Sequence, residues 1–314
     1  MTIATTVIPS RDPSGWLLRL LAFAAIYIVW GSTFLAIRYT TATIPPLMAA
    51  GLRVLVGGAL LYGYLRARGV PAPSWRSWSV AAVSGGMLFV GCHGVLGWAS
   101  QRVPTGVSAL LTATISLWMV VLGAVRARTM PNRWVAFGLV LGFAGLLPLI
   151  RPDRVGGHVD VLASVALVLG ALSWAAGSLY ARGRLLPRAP LQAAAMQMFA
   201  GGVLLILLSG AVGEWSALNL AHVTERSLVS LAYLIVVGSI VTFGAYVWLL
   251  QHASAASVST YAFVNPVVAL LLGWLFGGEG LSVRTLVATA LIVIAVAMIT
   301  MASSRPAGTR TRDA

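Results

Sequence analysis

The sequence predicts an all-α integral membrane protein with ten transmembrane helices, arranged as two inverted five-helix repeats around a central cavity. Three observations predict it: a very apolar composition, ten segments of membrane-crossing length, and self-similarity between the halves of the chain. Of 314 residues, 59% are hydrophobic and 9% charged, against about 25% charged in an ordinary soluble domain. The mean hydropathy is +0.91. The formal net charge of +14 would suggest nucleic acid in a soluble protein. Here the basic residues are all arginine and cluster in short loops between apolar runs, so membrane topology explains them and no nucleic-acid partner is expected.

The first span, Leu17 to Ile37, has Arg11 before it and Arg19 at its start, and superficially resembles a signal peptide. Its apolar run continues to about Ala36, too long for a cleaved core, so it is expected to be retained. The second span, Pro46 to Leu65, carries Arg53 about eight residues inside, and the third, Trp78 to Trp98, carries Cys92 and His93. Cys92 excludes an internal disulfide and a multi-cysteine metal site, and reads as a small core residue. The fourth and fifth spans run from Thr105 to Val125 and from Trp134 to Ile150. Val161 to Tyr180, Leu191 to Val212 and Leu228 to Leu250 form the next three. The ninth, Val258 to Phe276, is nineteen residues without a charge, enough at 1.5 Å per residue for roughly the 30 Å hydrocarbon core. At its middle stand Asn265 and Pro266. Pro266 cannot donate to the Ala262 carbonyl, and such a break is tolerated where it is buried in protein or lines a wet cavity. The tenth span is Ser282 to Met301.

Arginine placement sets the orientation. Loops after spans two, four and six hold Arg66, Arg68, Arg76, Arg126, Arg128, Arg133, Arg182, Arg184 and Arg188, and the termini add Arg11, Arg19, Arg305, Arg310 and Arg312. The opposite loops hold only Arg102, Arg151, Arg154, Arg226 and Arg284, so both termini are expected in the cytoplasm. A shift of 144 residues matches Pro46 with Pro190, Gly57 with Gly201, Gly58 with Gly202 and Trp30 with Trp174. A shift of 150 matches Trp98 with Trp248, Gln101 with Gln251 and Gly123 with Gly273. Five spans per half place the halves in the membrane in opposite senses, a plan used by secondary transporters. The expected organisation is a tail 1–16, repeats 17–150 and 161–302, and a tail 303–314.

WGSTFLAIRY (Trp30 to Tyr39), PPLMAAGLR (Pro45 to Arg53), VPTGVSALLTAT (Val103 to Thr114), LSWAAGSLY (Leu172 to Tyr180) and YAFVNPVVALLLGWLFGGE (Tyr261 to Glu279) together resemble the EamA-type permeases of the drug/metabolite transporter superfamily. The resemblance implies two inverted repeats around a cavity and export of small metabolites, amino acids or toxic compounds across the bacterial inner membrane. Many relatives carry a proline where this chain has Ser116, a glutamate near Ser100 and an asparagine near His93. The missing glutamate leaves carboxylate-based proton coupling there without its carrier.

Arg53 is either a contact for an anion or carboxylate, or a structural arginine bonded to carbonyls. Arg38, ending the first span, reads as an interface anchor. His93 is the intramembrane candidate for proton coupling, the alternative being a neutral buried imidazole on a carbonyl. His158, His222 and His252 fall in different loops, so neither a metal nor any other cofactor is expected. Trp30 and Trp174 offer cavity walls for flat solutes or simple packing. Tyr180, Tyr261 and Asn265 offer hydrogen bonds without charge, and Asn265 is the leading site candidate because a buried amide beside a proline needs partners. Gln101 and Gln251 either hold helix ends or gate a cavity mouth. Gly273, like Pro266, is a structural or gating position, and Glu279 reads as a cap or turn residue. The expected function is secondary transport of a small organic solute by alternating access. A membrane enzyme acting on a lipid or isoprenoid is the alternative, disfavoured by seven isolated acids. Lipid and a small-molecule substrate are the expected partners, and a homodimer is left open.

Overall fold

The computed structural model describes residues 13–147, 160–182, 184, 186–187, 189–253, 257–258 and 260–303, and no strand occurs among them. Its principal elements are α1 (Trp16–Thr40), α2 (Pro46–Ala67), α3 (Trp75–Ala99) and α4 (Thr105–Ala127), then α5 (Arg133–Ala144), α6 (Val161–Ala181) and α7 (Pro190–Ala211). α8 (Glu225–Leu249), α9 (Tyr261–Phe276) and α10 (Val283–Ser303) complete them. Among the described residues, seven helices, α1 to α4 and α6 to α8, are long and apolar enough to cross a membrane by length and composition. The expected fifth-span end at Ile150, and Arg11, Arg151, Arg154, His158, Arg188, Arg305, Arg310 and Arg312, lie outside the described residues.

Local chemistry sets the helix ends. Ser74, Asn132, Asp160 and Thr224 cap α3, α5, α6 and α8 by accepting from backbone N–H groups two or three residues on. Pro46 and Pro190 open α2 and α7, where a missing N–H costs nothing. Gly69 (φ 79°) and Gly213 (φ 83°) follow those two helices in the left-handed region, which a glycine adopts without a Cβ clash. One boundary differs from the sequence expectation: α9 begins at Tyr261 rather than Val258. The Thr260 hydroxyl donates to the Ser257 carbonyl, 2.6 Å away, and forms a separate turn before the helix. In α4 the regular helix is interrupted at Thr114, whose hydroxyl donates to the Leu111 carbonyl at 2.6 Å.

The α2–α7 pair makes the most extensive helix contact. A Cβ on Gly58 would lie 2.5 Å from the Phe199 nitrogen, and one on Gly202 would lie 2.5 Å from the Leu55 nitrogen. Gly58 and Gly202, which match across the halves, are thus where the two backbones touch. α5 packs on α10, with Gly138 against Ile299, and α4 packs on α9, with Gly106 against Leu270. α3 pairs with α6 much as α8 pairs with α1. The main apolar core gathers Leu96, Val107, Leu110, Leu111, Leu167, Ile292 and Val296. Outward faces remain apolar, with Leu60, Phe137, Val140, Leu169, Leu207 and Phe276 exposed, as lipid solvation permits.

Three helices contain π-helical turns: Ala25–Val29 in α1, Gly86–Gly94 in α3 and Leu234–Val241 in α8. Such turns displace backbone carbonyls from the regular ladder and occur frequently at functional sites. α3 and α8 are the third helices of their respective halves.

Candidate functional site

Several polar side chains of the interior meet at these π turns. Arg53 on α2 is 7% exposed and donates from Nε to the Ser239 hydroxyl at 3.2 Å. Ser239, within the π turn of α8, in turn donates to the Leu234 carbonyl at 2.9 Å. The Trp30 indole N–H on α1 reaches the Gly238 carbonyl at 3.1 Å. A Cβ added to Gly238 would stand 3.1 Å from Thr33 Cγ2 and 3.7 Å from Arg53 Nη2, so this glycine brings the guanidinium and α1 together. Ser32 Oγ donates to the Val29 carbonyl at 2.8 Å, and the Tyr233 hydroxyl lies 2.6 Å from the same oxygen. With the serine hydrogen engaged, the tyrosine is the donor of that second bond. The guanidinium lies within electrostatic reach of Tyr233 and His93.

Two aromatic clusters flank this junction. Trp30, Tyr246 and Tyr261 meet with centroid separations of 5.4, 5.0 and 5.9 Å. Phe89, His93 and Trp174 meet at 5.2, 5.8 and 5.1 Å. Each cluster contains one of the two matched tryptophans, packed against the third helix of a half. His93 Nδ1 is 3.5 Å from the Leu88 carbonyl. Such surfaces can bind flat or apolar groups and, through the rings' negative faces, cations.

Asn265 is half-buried and faces α1. Oriented with its amide nitrogen toward the carbonyls, it donates to Ile26 at 3.0 Å, Tyr27 at 3.1 Å and Tyr261 at 3.3 Å. The first two carbonyls belong to the π turn of α1, so the amide saturates acceptors that this turn releases. Pro266 is buried beside it. Gly273 leaves room for the Glu279 carboxylate, since a Cβ there would lie 2.4 Å from Oε2. Glu279 accepts from the Thr105 N–H at 2.7 Å and forms an ion pair with Arg38. It therefore caps α4 rather than the helix that follows it, and Arg38 has a carboxylate partner where the sequence suggested an interface anchor. Gln101 donates to the Arg38 carbonyl at 2.6 Å and to Thr41 Oγ1 at 2.9 Å, tying the α3–α4 corner to the end of α1. Gln251 is exposed in the last turn of the helical segment Thr242–His252 that continues α8. Tyr180 lies at the end of α6 with the Arg184 guanidinium 4.1 Å from its ring centroid, apart from both clusters.

Sequence reasoning passed over several contributors. Ser32, Phe89, Tyr233, Ser239 and Tyr246 stand in ordinary apolar runs, and no local pattern separates them from packing residues. Glu214 resembles a loop acid, yet it accepts from the Leu47 and Met48 N–H groups at 3.1 and 2.8 Å and from Ser209 at 2.8 Å, capping α2. Its signal was weak but present: an acid directly after an αL glycine, between long spans.

The model of the EamA-like transporter family matches residues 17–151 and 161–301. Over 283 residues the chain is 36% identical to the "Uncharacterized inner membrane transporter YedA" of Escherichia coli K12, covering 89% of this chain and 90% of that protein. It is 24% identical over 275 residues to the "Probable amino-acid metabolite efflux pump" of Salmonella typhimurium LT2, covering 85% and 90%. A solved structure, described only as the crystal structure of a protein, superposes with a TM-score of 0.63 at 21% identity over 92% of this chain and 99% of that one, a likeness of fold. Both segments of the family model and nearly full-length relatives of like size lead to one conclusion: the chain belongs to the EamA-like transporter family.

Proposed function

We propose that the protein is a multi-pass inner-membrane secondary transporter that exports small organic metabolites by alternating access. In this reading ten spans form two inverted halves, 17–150 and 161–302, with both termini cytoplasmic. The halves rock about the α2–α7 glycine crossing, and the solute sits between the two aromatic clusters, beside Arg53. The observation that carries the reading is the duplicated arrangement of Trp30 and Trp174, each in an aromatic cluster against the π-containing third helix of one half. The symmetric helix pairings and the two family-model segments support it, as do the printed names of the relatives. π turns suit such a place because a helix that must bend around a solute keeps its carbonyls accessible at low cost.

Asn265 and Pro266 serve this site as the support of the α1 π turn, and Tyr261 and Trp30 as its walls. His93 is proposed to carry the coupling proton, being an imidazole within a span and beside the second cluster. The test is counterflow in proteoliposomes with labelled amino acids and cationic dyes. Trp30→Ala and Trp174→Ala should each reduce flux at least tenfold while the purified protein stays monodisperse. Flux at wild-type rates in both variants would remove the clusters from the pathway. His93→Ala should flatten the pH dependence of flux, and an unchanged profile would remove His93 from coupling.

A further inference from the structure

Arg53 is a buried residue whose guanidinium has one hydrogen-bond partner, Ser239, among the described residues. Four of its five N–H hydrogens, those on Nη1 and Nη2, find no hydrogen-bond acceptor among the described residues, and it makes no ion pair there. The described carboxylates lie elsewhere: Asp160 caps α6, Glu214 caps α2, Glu279 pairs with Arg38, and Glu225 is exposed in the first turn of α8. A charge in these surroundings requires a counter-charge or water.

The matched position in the other half shows that architecture does not need the charge. Gln197 on α7 donates to the Ser84 hydroxyl on α3 at 2.8 Å, as Arg53 on α2 donates to the Ser239 hydroxyl on α8. A neutral amide thus makes the same helix-to-helix serine contact. What arginine adds is a positive, planar fork of donors beside Gly238, at a site that also holds the Tyr233 and Ser32 hydroxyls and the Trp30 edge.

We propose that the Nη face of Arg53 is the binding site for the carboxylate of a monocarboxylate cargo, such as a zwitterionic amino acid, whose remainder lies on the aromatic walls. The assignment rests on the transport reading above and narrows its substrate class. A carboxylate matches the guanidinium fork in two parallel hydrogen bonds and cancels a single charge. A phosphate ester, carrying nearly two charges, would be left half compensated by the guanidinium alone, since no second arginine contacts this junction among the described residues and His93 adds a charge only while it holds the coupling proton.

The purified full-length protein in detergent would be tested by thermal shift with each of the twenty L-amino acids and its C-terminal amide, with phenyl phosphate as a further arm. At least one free acid should raise the melting temperature and its amide should not. Arg53→Gln should abolish that response. Arg53→Lys and Ser239→Ala should weaken affinity at least tenfold and at least twofold respectively, while keeping the preference for acid over amide. Should Arg53→Gln fail to fold, these two variants decide: wild-type affinity in both would overturn the assignment. Equal stabilisation by acid and amide, or by phenyl phosphate alone, would also overturn it. In liposomes, flux of the stabilising amino acid unaffected by Arg53→Lys would overturn the carboxylate site and leave alternating access standing. Acid-selective binding without any flux would sustain the Arg53 site and count against the transport reading alone.

Discussion

Asn265 carries an amide into a helix interior where no bulk water can satisfy it, and its position beside Pro266 was legible from sequence as a polar break in an uncharged span. Its partners were not legible, because the π turn of α1 arises from tertiary packing and leaves no local pattern. The donor role makes a sharp prediction. Asn265→Asp replaces an amide NH2 shared among three carbonyls by an acceptor facing acceptors, so its melting temperature should fall further than that of Asn265→Ala, which merely leaves the Ile26, Tyr27 and Tyr261 carbonyls without that donor. An aspartate variant as stable as the alanine one would show that the amide does not serve those carbonyls. Glu279 offers a second case. A double-mutant cycle of Glu279→Gln with Arg38→Gln should give a coupling of about 0.5–3 kcal/mol, read from reversible unfolding in mild detergent, because the carboxylate joins α1 and α4 at once. Sequence reasoning found both residues and read Glu279 as a cap or turn residue, but only the fold brings it to a helix that starts 174 residues earlier.

Among helices, the α2–α7 crossing is the element most dependent on missing side chains. Gly58→Ala would drive a methyl into the Phe199 backbone, which lies 2.5 Å from that position, and should destabilise by about 1–3 kcal/mol. Gly63→Ala, in the same helix with nothing within 4 Å, should instead be neutral or stabilising by up to about 1 kcal/mol. Comparing the two variants by thermal unfolding separates close approach from helix propensity, and equal effects would contradict the crossing. Gly58 was visible beforehand, matched with Gly202 across the halves. Several helix starts were also visible, such as Pro46, Thr105, Val161 and Pro190, since loop residues and prolines mark them. The shortened start of α9 and the break at Thr114 were not, because both follow from hydroxyl-to-carbonyl bonds that composition does not reveal.

Across the whole chain, the repeated plan explains why a protein with few charges can surround one buried cation with hydroxyls and aromatic rings. Two similar helix sets bring unlike third helices, α3 and α8, toward the same interior, and divergence between the halves then leaves arginine on one side and glutamine on the other. That asymmetry was readable as Arg53 against Gln197, but its meaning required the serine contacts of both. The central claim is that the halves lie upside down relative to each other, and the α2–α3 and α7–α8 connections, equivalent by repeat, test it most directly. In a Cys92→Ser background, Ala72→Cys and Leu220→Cys, both at exposed positions, would be treated in cells with a membrane-impermeant thiol reagent. Leu220→Cys should be labelled once the outer membrane is made permeable, and Ala72→Cys only after the inner membrane is opened; labelling of both from the same side would contradict the inverted arrangement.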